Sequence, residues 1–261
     1  MSEPLLVLRG VDKAFGDTRA LRGINLEVVR GQTTVLIGSS GCGKSTVLRL
    51  VIGLLAPDRG EVRFDGAVVS TADDSPHRRR IGYVVQEGGL FAHLTAGENV
   101  SLPARHAGWD AARVDARLDE LRGLVQLPAE ALRRYPVQLS GGQRQRVSLM
   151  RALMLDPDVL LFDEPLSALD PITRADLSRD LRSIFQSLHK TVVLVTHDLA
   201  EAAFFADGVA LMNEGAIIQR GTMTDLLEAP ATPFVSRFVS AQRSPLDTPP
   251  THDDAPRSPA P

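Results

Sequence analysis

Apolar residues fall into short runs along this chain, and the runs show two patterns that predict two kinds of β-strand. Those at 24–28 and 61–64 alternate polar and apolar positions, as strands do when one face of an antiparallel sheet meets solvent. Those that end at Ile37, Phe162 and Val195 are continuously apolar, as strands buried in a parallel sheet are. Together the patterns predict an α/β fold that also contains an antiparallel β-subdomain. Two further runs are expected to be strands, at 5–8 and 81–85.

Helical spacing replaces the strand pattern between about 98 and 157. Over 110–127, apolar residues recur every three or four positions, which predicts a helix. A second helix is expected to begin at Ser140, whose hydroxyl suits an N-cap, and to end before Asp156. We therefore expect an inserted helical subdomain over about 98–157.

Composition excludes several classes of protein. The 261 residues are 43% hydrophobic and 23% charged, which is ordinary for a globular domain. A net charge of −3 gives no broad basic field, so we expect no nucleic-acid partner. A single cysteine excludes an internal disulfide framework, and no run of 18 apolar residues is present to span a bilayer. Because the start lacks the basic and apolar regions of a secretory signal, we expect a cytoplasmic location, with any membrane link made through a partner.

The C-terminal end differs in composition from the rest of the chain. Six of the 17 prolines lie after Ser244, and large apolar residues are almost missing there. Such a segment cannot bury enough apolar surface to order itself. We expect residues 1–240 to form the folded domain and residues 241–261 to form a disordered tail.

The segment Gly38–Ser45 is a candidate phosphate-binding loop. It follows a predicted strand and precedes an apolar helical pattern, which is the position that such loops occupy. Glycines allow backbone N–H groups to curl around the β-phosphate, and the N-terminus of the following helix adds positive potential. Lys44 would then reach the β- and γ-phosphates, and the Ser45 hydroxyl would bind Mg²⁺. The alternative is an ordinary glycine-rich turn.

A pair of carboxylates, Asp163 and Glu164, ends another buried strand. Burying carboxylates costs free energy unless they hold a cation or a proton. Asp163 is therefore a candidate Mg²⁺ ligand, and Glu164 can orient an attacking water and accept its proton. The alternative is a strand end that meets solvent, where acidic residues are common.

The pentapeptide Leu139–Gln143 places a hydroxyl and two glycines at a predicted helix start. This is a second surface that can bind an anion. One chain then has two phosphate-binding ends and one set of carboxylates, which predicts an ATPase site completed by a second copy of the chain. The alternative is an ordinary serine-capped helix.

In this order and spacing, the motifs resemble the nucleotide-binding subunits of ABC transporters, over about 5–239. The resemblance implies a P-loop NTPase core of ABC type that binds ATP and Mg²⁺. It implies a homodimer that sandwiches two ATP molecules, membrane permease subunits as partners, and an indirect link to a solute-binding protein. The chain would then lie at the cytoplasmic face of the membrane as a peripheral subunit. Leu139–Gln143 becomes the signature motif, which contacts ATP bound to the other subunit.

The resemblance also implies roles for individual residues. Catalytic roles fall to Lys44, Gln86, Glu164 and His197, and Mg²⁺ ligation falls to Ser45, Gln86 and Asp163. Nucleotide contacts are implied for Phe15, stacked on adenine, and for Gly38, Ser39, Ser40, Gly41, Cys42, Gly43, Lys44, Ser45, Thr46, Ser140, Gly141, Gly142, Gln143 and Asp170. Without the resemblance, Gln86 would be read as a surface amide, His197 as a strand-end histidine and Phe15 as a core ring.

Four segments are similar to one group of ABC importers, those for osmoprotectants such as glycine betaine and choline. They are Gln86–Thr95, Gly108–Trp109, Arg134–Pro136 and Ala168–Arg174. Two features differ from that group: a short Pro-rich tail stands where many relatives carry paired regulatory domains, and position 87 is Glu where the group often has Gln. Osmotic self-regulation through this subunit is therefore not expected.

Other functions remain open from the sequence. The chain can serve an importer of another solute or a lipid-trafficking ATPase. A soluble ABC ATPase of DNA repair or translation usually carries two cassettes or long insertions, and this chain has neither. A P-loop kinase would not need Leu139–Gln143, and a regulator without catalysis would not need Glu164 and His197.

Two local features have simple interpretations. Cys42 is either a tolerated small residue or a thiol whose pKa the adjacent helix N-terminus lowers. Its side chain is expected to point toward the bound phosphates. The charge run Arg78–Arg80 is expected to be a solvated face.

Overall fold

The computed structural model describes residues 3–72 and 75–242. Its strands are β1 (Pro4–Phe15), β2 (Thr18–Val29), β3 (Thr33–Gly38), β4 (Arg59–Phe64), β5 (Ala67–Val68), β6 (Ile81–Val84), β7 (Val159–Asp163), β8 (Thr191–Thr196), β9 (Gly208–Asn213) and β10 (Ala216–Gly221). Its helices are α1 (Lys44–Val51), α2 (Ala96–His106), α3 (Ala111–Leu124), α4 (Gly141–Leu153), α5 (Pro171–Leu188), α6 (Leu199–Phe205), α7 (Met223–Glu228) and α8 (Pro233–Gln242).

The strands form two sheets, as the two hydrophobic patterns predicted. A four-stranded antiparallel sheet has the order β2-β1-β4-β5, and a six-stranded sheet has the order β10-β9-β3-β8-β7-β6. In the second sheet the strands pair in parallel except for the antiparallel edge pair of β9 and β10. The continuously apolar strands β3, β7 and β8 lie inside this sheet, where both faces are covered.

Parallel pairing brings the carboxyl ends of four strands to one edge of the sheet. In register, Ile37 of β3 pairs with Thr196 of β8, and Val195 of β8 pairs with Asp163 of β7. Next to them, Phe162 of β7 pairs with Val84 of β6. The segments that follow these strands therefore meet at a single edge, which is where α/β sheets bind ligands.

Between β6 and β7 the chain is helical, as predicted, but the helices differ in detail. The helix expected over 110–127 is α3, capped by Asp110 and closed before Gln126, which takes a left-handed conformation. The spacing did not identify α2, because Pro103 interrupts its pattern. A capping box between Thr95 and Glu98 starts this helix nonetheless.

The edge elements β9, β10 and α5 to α8 were not predicted from the sequence. Helix α8 packs Val235 and Val239 into the larger hydrophobic core. It ends at Gln242, so residues 241 and 242 are helical rather than part of the expected tail. The rest of that predicted tail lies outside the described residues. Among the helices of the described part, none has the length and apolar character needed to cross a bilayer.

Arg80 is more than part of a solvated charged face, which is what was expected for Arg78–Arg80. Its guanidinium bonds the carboxylates of Asp65 and Asp158 and lies 4.7 Å from the centre of the Phe64 ring. Phe64 belongs to the antiparallel sheet and Asp158 precedes β7 of the parallel sheet. Arg80 therefore joins the two sheets.

Candidate active site

The loop Gly38–Ser45 connects β3 to α1 and has the geometry of a phosphate cradle. Gly41 and Gly43 have φ angles of 77° and 104°, a left-handed region that side chains rarely allow. A Cβ at Gly43 would lie 2.5 Å from the carbonyl oxygen of Ala20, so only glycine fits there. Ser39, Ser40 and Gly41 remain exposed, which leaves the outer face of the loop open to a ligand.

Lys44 places its ammonium inside this loop. The side chain is buried, and Nζ donates to the carbonyl oxygens of Gly38 at 2.8 Å and Ser39 at 2.9 Å. A buried ammonium requires such acceptors, since burial without them costs several kcal/mol. The positive charge is thus fixed at the first turn of α1, where loop N–H groups and the helix dipole also favour an anion.

Asp163 lies beside the loop and offers oxygen ligands. Ser45 donates its hydroxyl to Asp163 Oδ1 at 2.8 Å, which joins the start of α1 to the end of β7. A hydroxyl and a carboxylate oxygen are the hard donors that Mg²⁺ prefers. In the described part of the chain, no group of three or more His, Cys, Asp and Glu residues can hold a metal alone. The residues therefore fit a Mg²⁺ ion that takes its remaining ligands from phosphate and water.

Tyr83 is a contact of Asp163 that the sequence did not reveal. Its hydroxyl donates to Asp163 Oδ2 at 3.2 Å from the neighbouring strand β6. Burial and the Asp163 carboxylate both raise the pKa of Tyr83, so the phenol stays protonated and remains a donor. Ser45 and Tyr83 thus each hold one oxygen of the carboxylate. The pairing of β6 with β7 is the signal that identifies this contact, and it is a tertiary feature.

Glu164 and His197 form a pair at the same edge. His197 Nδ1 lies 3.1 Å from Glu164 Oε2, and the two residues follow adjacent strands, β7 and β8. Glu164 has a φ angle of 47°, an uncommon conformation for a residue with a side chain. Its N–H donates to the Val195 carbonyl at 3.0 Å, which holds the backbone in this turn. Backbone strain of this kind occurs preferentially at functional sites.

Gln86 and Phe15 lie at the periphery. Gln86 is exposed and follows β6 at the edge that carries Asp163. Phe15 is 47% exposed, so it is not the core ring that its sequence alone would indicate. Phe15 pairs with Thr18 at the end of the β1–β2 hairpin. Ala20 lies two residues after Thr18, and its carbonyl oxygen lies beside Gly43 of the loop. An exposed ring at this position can stack on a base.

The Leu139–Gln143 segment caps α4. The Ser140 hydroxyl accepts from the Gln143 N–H at 3.2 Å, and the Gln143 side chain accepts from the Ser140 N–H at 3.1 Å. Its two glycines serve packing rather than a left-handed turn. A Cβ at Gly141 would lie 2.9 Å from Leu169, and one at Gly142 would lie 2.9 Å from Thr173, the first turn of α5.

Asp170 starts α5 beside these glycines. Its carboxylate accepts from the Thr173 N–H at 3.0 Å. Hydrogen bonds from the Thr173 side chain and, second, from its N–H lower the pKa of Asp170. A cleft of about 350 Å³ opens at this place, and Ser140, Gly142, Gln143 and Thr173 are among the residues that line it. None of its lining residues belongs to Gly38–Ser45. The two candidate anion-binding segments thus form separate surfaces within one chain.

The structure corrects the expectations for Cys42. Its side chain is buried in the core below the loop, next to Gly38, and does not point outward to phosphate. Burial raises the pKa of the Cys42 thiol, and the charge of Lys44 only partly offsets this. The interpretation of a helix N-terminus that lowers this pKa is therefore wrong, because desolvation of the thiolate outweighs the dipole.

Alkylation of Cys42 is consequently expected to be slow. A raised pKa leaves less thiolate at any given pH, and burial restricts access. At pH 7.5 the folded chain should react with iodoacetamide at least about tenfold more slowly than the chain in urea. The rate should rise as the pH is raised above neutrality. Mass spectrometry reads one site, since the chain has a single cysteine; fast stoichiometric labelling of the folded chain would contradict the buried position.

Comparisons with known proteins place this chain among similar ATP-binding proteins of transport systems. The family profile described as ABC transporter matches residues 21–167. The chain is 44% identical over 228 residues to the glycine betaine uptake system ATP-binding protein YehX of Escherichia coli (strain K12), covering 87% of this chain and 74% of that protein. It is 40% identical over 240 residues to the choline transport ATP-binding protein OpuBA of Bacillus subtilis (strain 168), covering 92% and 63%. The chain thus spans less than two thirds of OpuBA.

Another relative is named for a different transported solute. The chain is 47% identical over 236 residues to the sulfate/thiosulfate import ATP-binding protein CysA of Bordetella parapertussis, covering 89% of this chain and 66% of that protein. Among solved structures, it resembles the dimeric ATP-binding cassette MJ0796 bound to ADP and Pi. The TM-score is 0.75 and the identity is 33%, with 84% of this chain and 98% of that chain covered.

Proposed function

This chain belongs to the ABC transporter family, and we propose that it is the ATP-hydrolysing subunit of a membrane importer. The observation that supports this most directly is the meeting of Lys44, the Ser45–Asp163 pair and the Glu164–His197 pair at one edge of the sheet. These groups are the anion cradle, the cation ligands and the base that phosphoryl transfer to water requires.

These residues support direct hydrolysis of ATP by water. ATP binds with its β- and γ-phosphates in the Gly38–Ser45 loop, where Lys44 compensates their charge. Glu164 accepts a proton from the attacking water as the water oxygen bonds to the γ-phosphorus. The bond from the γ-phosphorus to the bridging oxygen breaks, which releases ADP and phosphate. His197 lies against Glu164, and an Nδ1–H that donates to Glu164 Oε2 fixes the direction of the carboxylate.

Mg²⁺ would be held by Ser45 and Asp163, with Gln86 near it at the end of β6. When bound, it neutralises charge on the phosphate oxygens. Tyr83 holds the second oxygen of Asp163 and so fixes the orientation in which this carboxylate would hold the cation.

A second copy of the chain completes each site. Within one chain, the Ser140–Gln143 surface is separate from the loop, so it is available to ATP on a partner subunit. In an isologous dimer each chain gives its loop to one site and its signature segment to the other. The similar MJ0796 cassette is described as a dimer, which supports this arrangement.

The permease docks near Gln86 to Pro103, at the cytoplasmic face of the membrane. This surface is connected to the signature helix α4. Arg151 donates to the carbonyl oxygens of Gly88 and Gly89, and the Ser148 hydroxyl donates to Gly88 at 2.8 Å. Movement of the docking segment therefore displaces α4, which Ser140 caps, and this links transport to the ATP site.

The transported solute is a quaternary ammonium osmoprotectant, delivered by a separate binding protein. Support comes from the segments Gln86–Thr95 and Ala168–Arg174 and from the relatives named for glycine betaine and choline. Sequence identity alone does not select this solute, since the sulfate/thiosulfate relative is 47% identical. We assign no solute contact to the described residues, and we assign recognition of the solute to the separate binding protein.

Uptake measurements test the solute. Deleting the subunit should abolish uptake of radiolabelled glycine betaine or choline under salt stress, in cells that lack other importers for these solutes. The same cells that carry the chain on a plasmid should regain uptake, and cells that carry Lys44→Ala should not. Normal uptake of both amines together with loss of sulfate uptake would reject the solute and leave the ATPase assignment intact.

A further inference from the structure

The last residue of α8 contacts the loop that presents His197. The Gln242 side chain donates from Nε2 to the His197 carbonyl oxygen at 2.9 Å and accepts at Oε1 from the Leu199 N–H at 2.7 Å. One amide orientation satisfies both bonds, because the carbonyl requires a donor and the N–H requires an acceptor. Gln242 therefore spans this loop on both sides of Asp198.

Besides the His197–Glu164 pair and an ion pair between Arg174 and Asp198 at 3.8 Å, the other hydrogen bonds of the loop come from its own segment. The Asp198 N–H donates to the Thr196 hydroxyl at 3.0 Å, and the Asp198 carboxylate accepts from the N–H groups of Ala200 and Glu201. These bonds start α6 and leave the His197 carbonyl to Gln242. That carbonyl sets the plane of the peptide after His197, and so sets the direction in which the imidazole leaves the backbone.

Helix α8, which carries Gln242, is anchored in the hydrophobic core. Val235 and Val239 of α8 are buried, and Phe234 and Phe238 stack with ring centres 6.1 Å apart. Gln242 itself is exposed, so its packing contributes little to stability. A helix packed into the core thus presents one exposed amide to a loop 45 residues earlier in the sequence.

From this geometry we infer that Gln242 is a positioning residue for His197, and that it holds the imidazole 3.1 Å from Glu164 for hydrolysis. This inference rests on the proposed ATPase function. Gln242 contacts the backbone of the loop rather than the nucleotide, so it should affect the chemical step more than binding of ATP.

Substitutions of Gln242 distinguish an effect on the chemical step from an effect on binding of ATP. Gln242→Met keeps the side-chain length and removes both hydrogen bonds, and kcat should fall about tenfold while KM for ATP changes less than about twofold. Gln242→Glu retains the acceptor but sets a carboxylate against the His197 carbonyl, and its kcat should also fall. Gln186→Met, an exposed glutamine of α5, is the matched control and should be normal. The melting temperatures of all the variants should stay close to that of the parent chain.

A double-mutant cycle identifies the route of the effect. If Gln242 acts through His197, Gln242→Met should cause no further loss of residual hydrolysis in a His197→Ala background. Multiplying losses would show an independent role and overturn the inference, as would a normal kcat in Gln242→Met. Absence of ATP hydrolysis by the parent dimer would instead reject the proposed function on which it rests.

Discussion

Replacing Glu164 with Gln should nearly abolish ATP hydrolysis while ATP binding persists. The amide can still hold the attacking water, but it cannot accept its proton. Loss of a general base typically lowers the rate about 10²–10⁴-fold. Blocked hydrolysis should also trap the ATP-bound dimer, because both shared sites remain filled with nucleotide. Steady-state hydrolysis, nucleotide binding and size exclusion with and without ATP measure the three consequences.

The control for this variant is another carboxylate. Glu228→Gln makes the same chemical change at the exposed end of α7 and should hydrolyse ATP at the parent rate. The Glu164→Gln chain should retain its fold, which circular dichroism checks. Full hydrolysis in Glu164→Gln would remove this residue from the role of base and leave His197 without its partner in the mechanism.

Two inactive variants should restore activity when they are mixed, if their changes affect opposite sides of the shared site. In a dimer of Lys44→Ala with Ser140→Ala, one composite site combines an intact loop with an intact signature segment. The second site carries both changes. With random pairing and independent sites, an equal mixture should regain about a quarter of the parent activity. Hydrolysis measured against the mixing ratio tests this.

The structure also identifies a second pair of variants, matched to the first, whose mixture should not restore activity. Ser45 bonds to Asp163 in the same chain, so the loop and the strand end of one chain belong to one site. Mixing Lys44→Ala with Glu164→Gln therefore leaves every composite site defective. Equal activity in both mixtures would contradict the shared-site geometry. Activity strictly proportional to concentration down to nanomolar protein, with no rescue, would indicate a monomeric kinase-like enzyme.

The sequence identified local features of the site, and the structure showed which of these features lie close together. The loop Gly38–Ser45 follows a continuously apolar run, so its position after a buried strand could be predicted. Its distance to Asp163 could not, because 118 residues separate Ser45 from that carboxylate. Tyr83 and Gln242 were missed for the same reason, since neither belongs to a motif and each acts through a neighbour that only the fold provides.

Burial and contacts between distant segments decided the properties of other residues. Cys42 stands next to a helix start, which alone favours the thiolate, yet its side chain turns into the core and desolvation dominates. Arg80 stands in a charge run, yet it joins Asp65 and Asp158 across two sheets. Such outcomes depend on which side of the backbone faces the interior, and a short sequence window does not contain that information.

By itself the sequence determined the elements whose signals are local: the buried strands β3, β7 and β8, the helix α3, the serine cap of α4, and the glycines of the Gly38–Ser45 loop. These depend on side-chain periodicity, on capping hydroxyls and carboxylates, and on backbone freedom, all of which act within a few residues. Only the tertiary structure decided the order of strands, and with it the edge where Lys44, Asp163, Glu164 and His197 meet. Strand order follows from packing between distant segments, whose free energy is shared across the core rather than encoded at any one position.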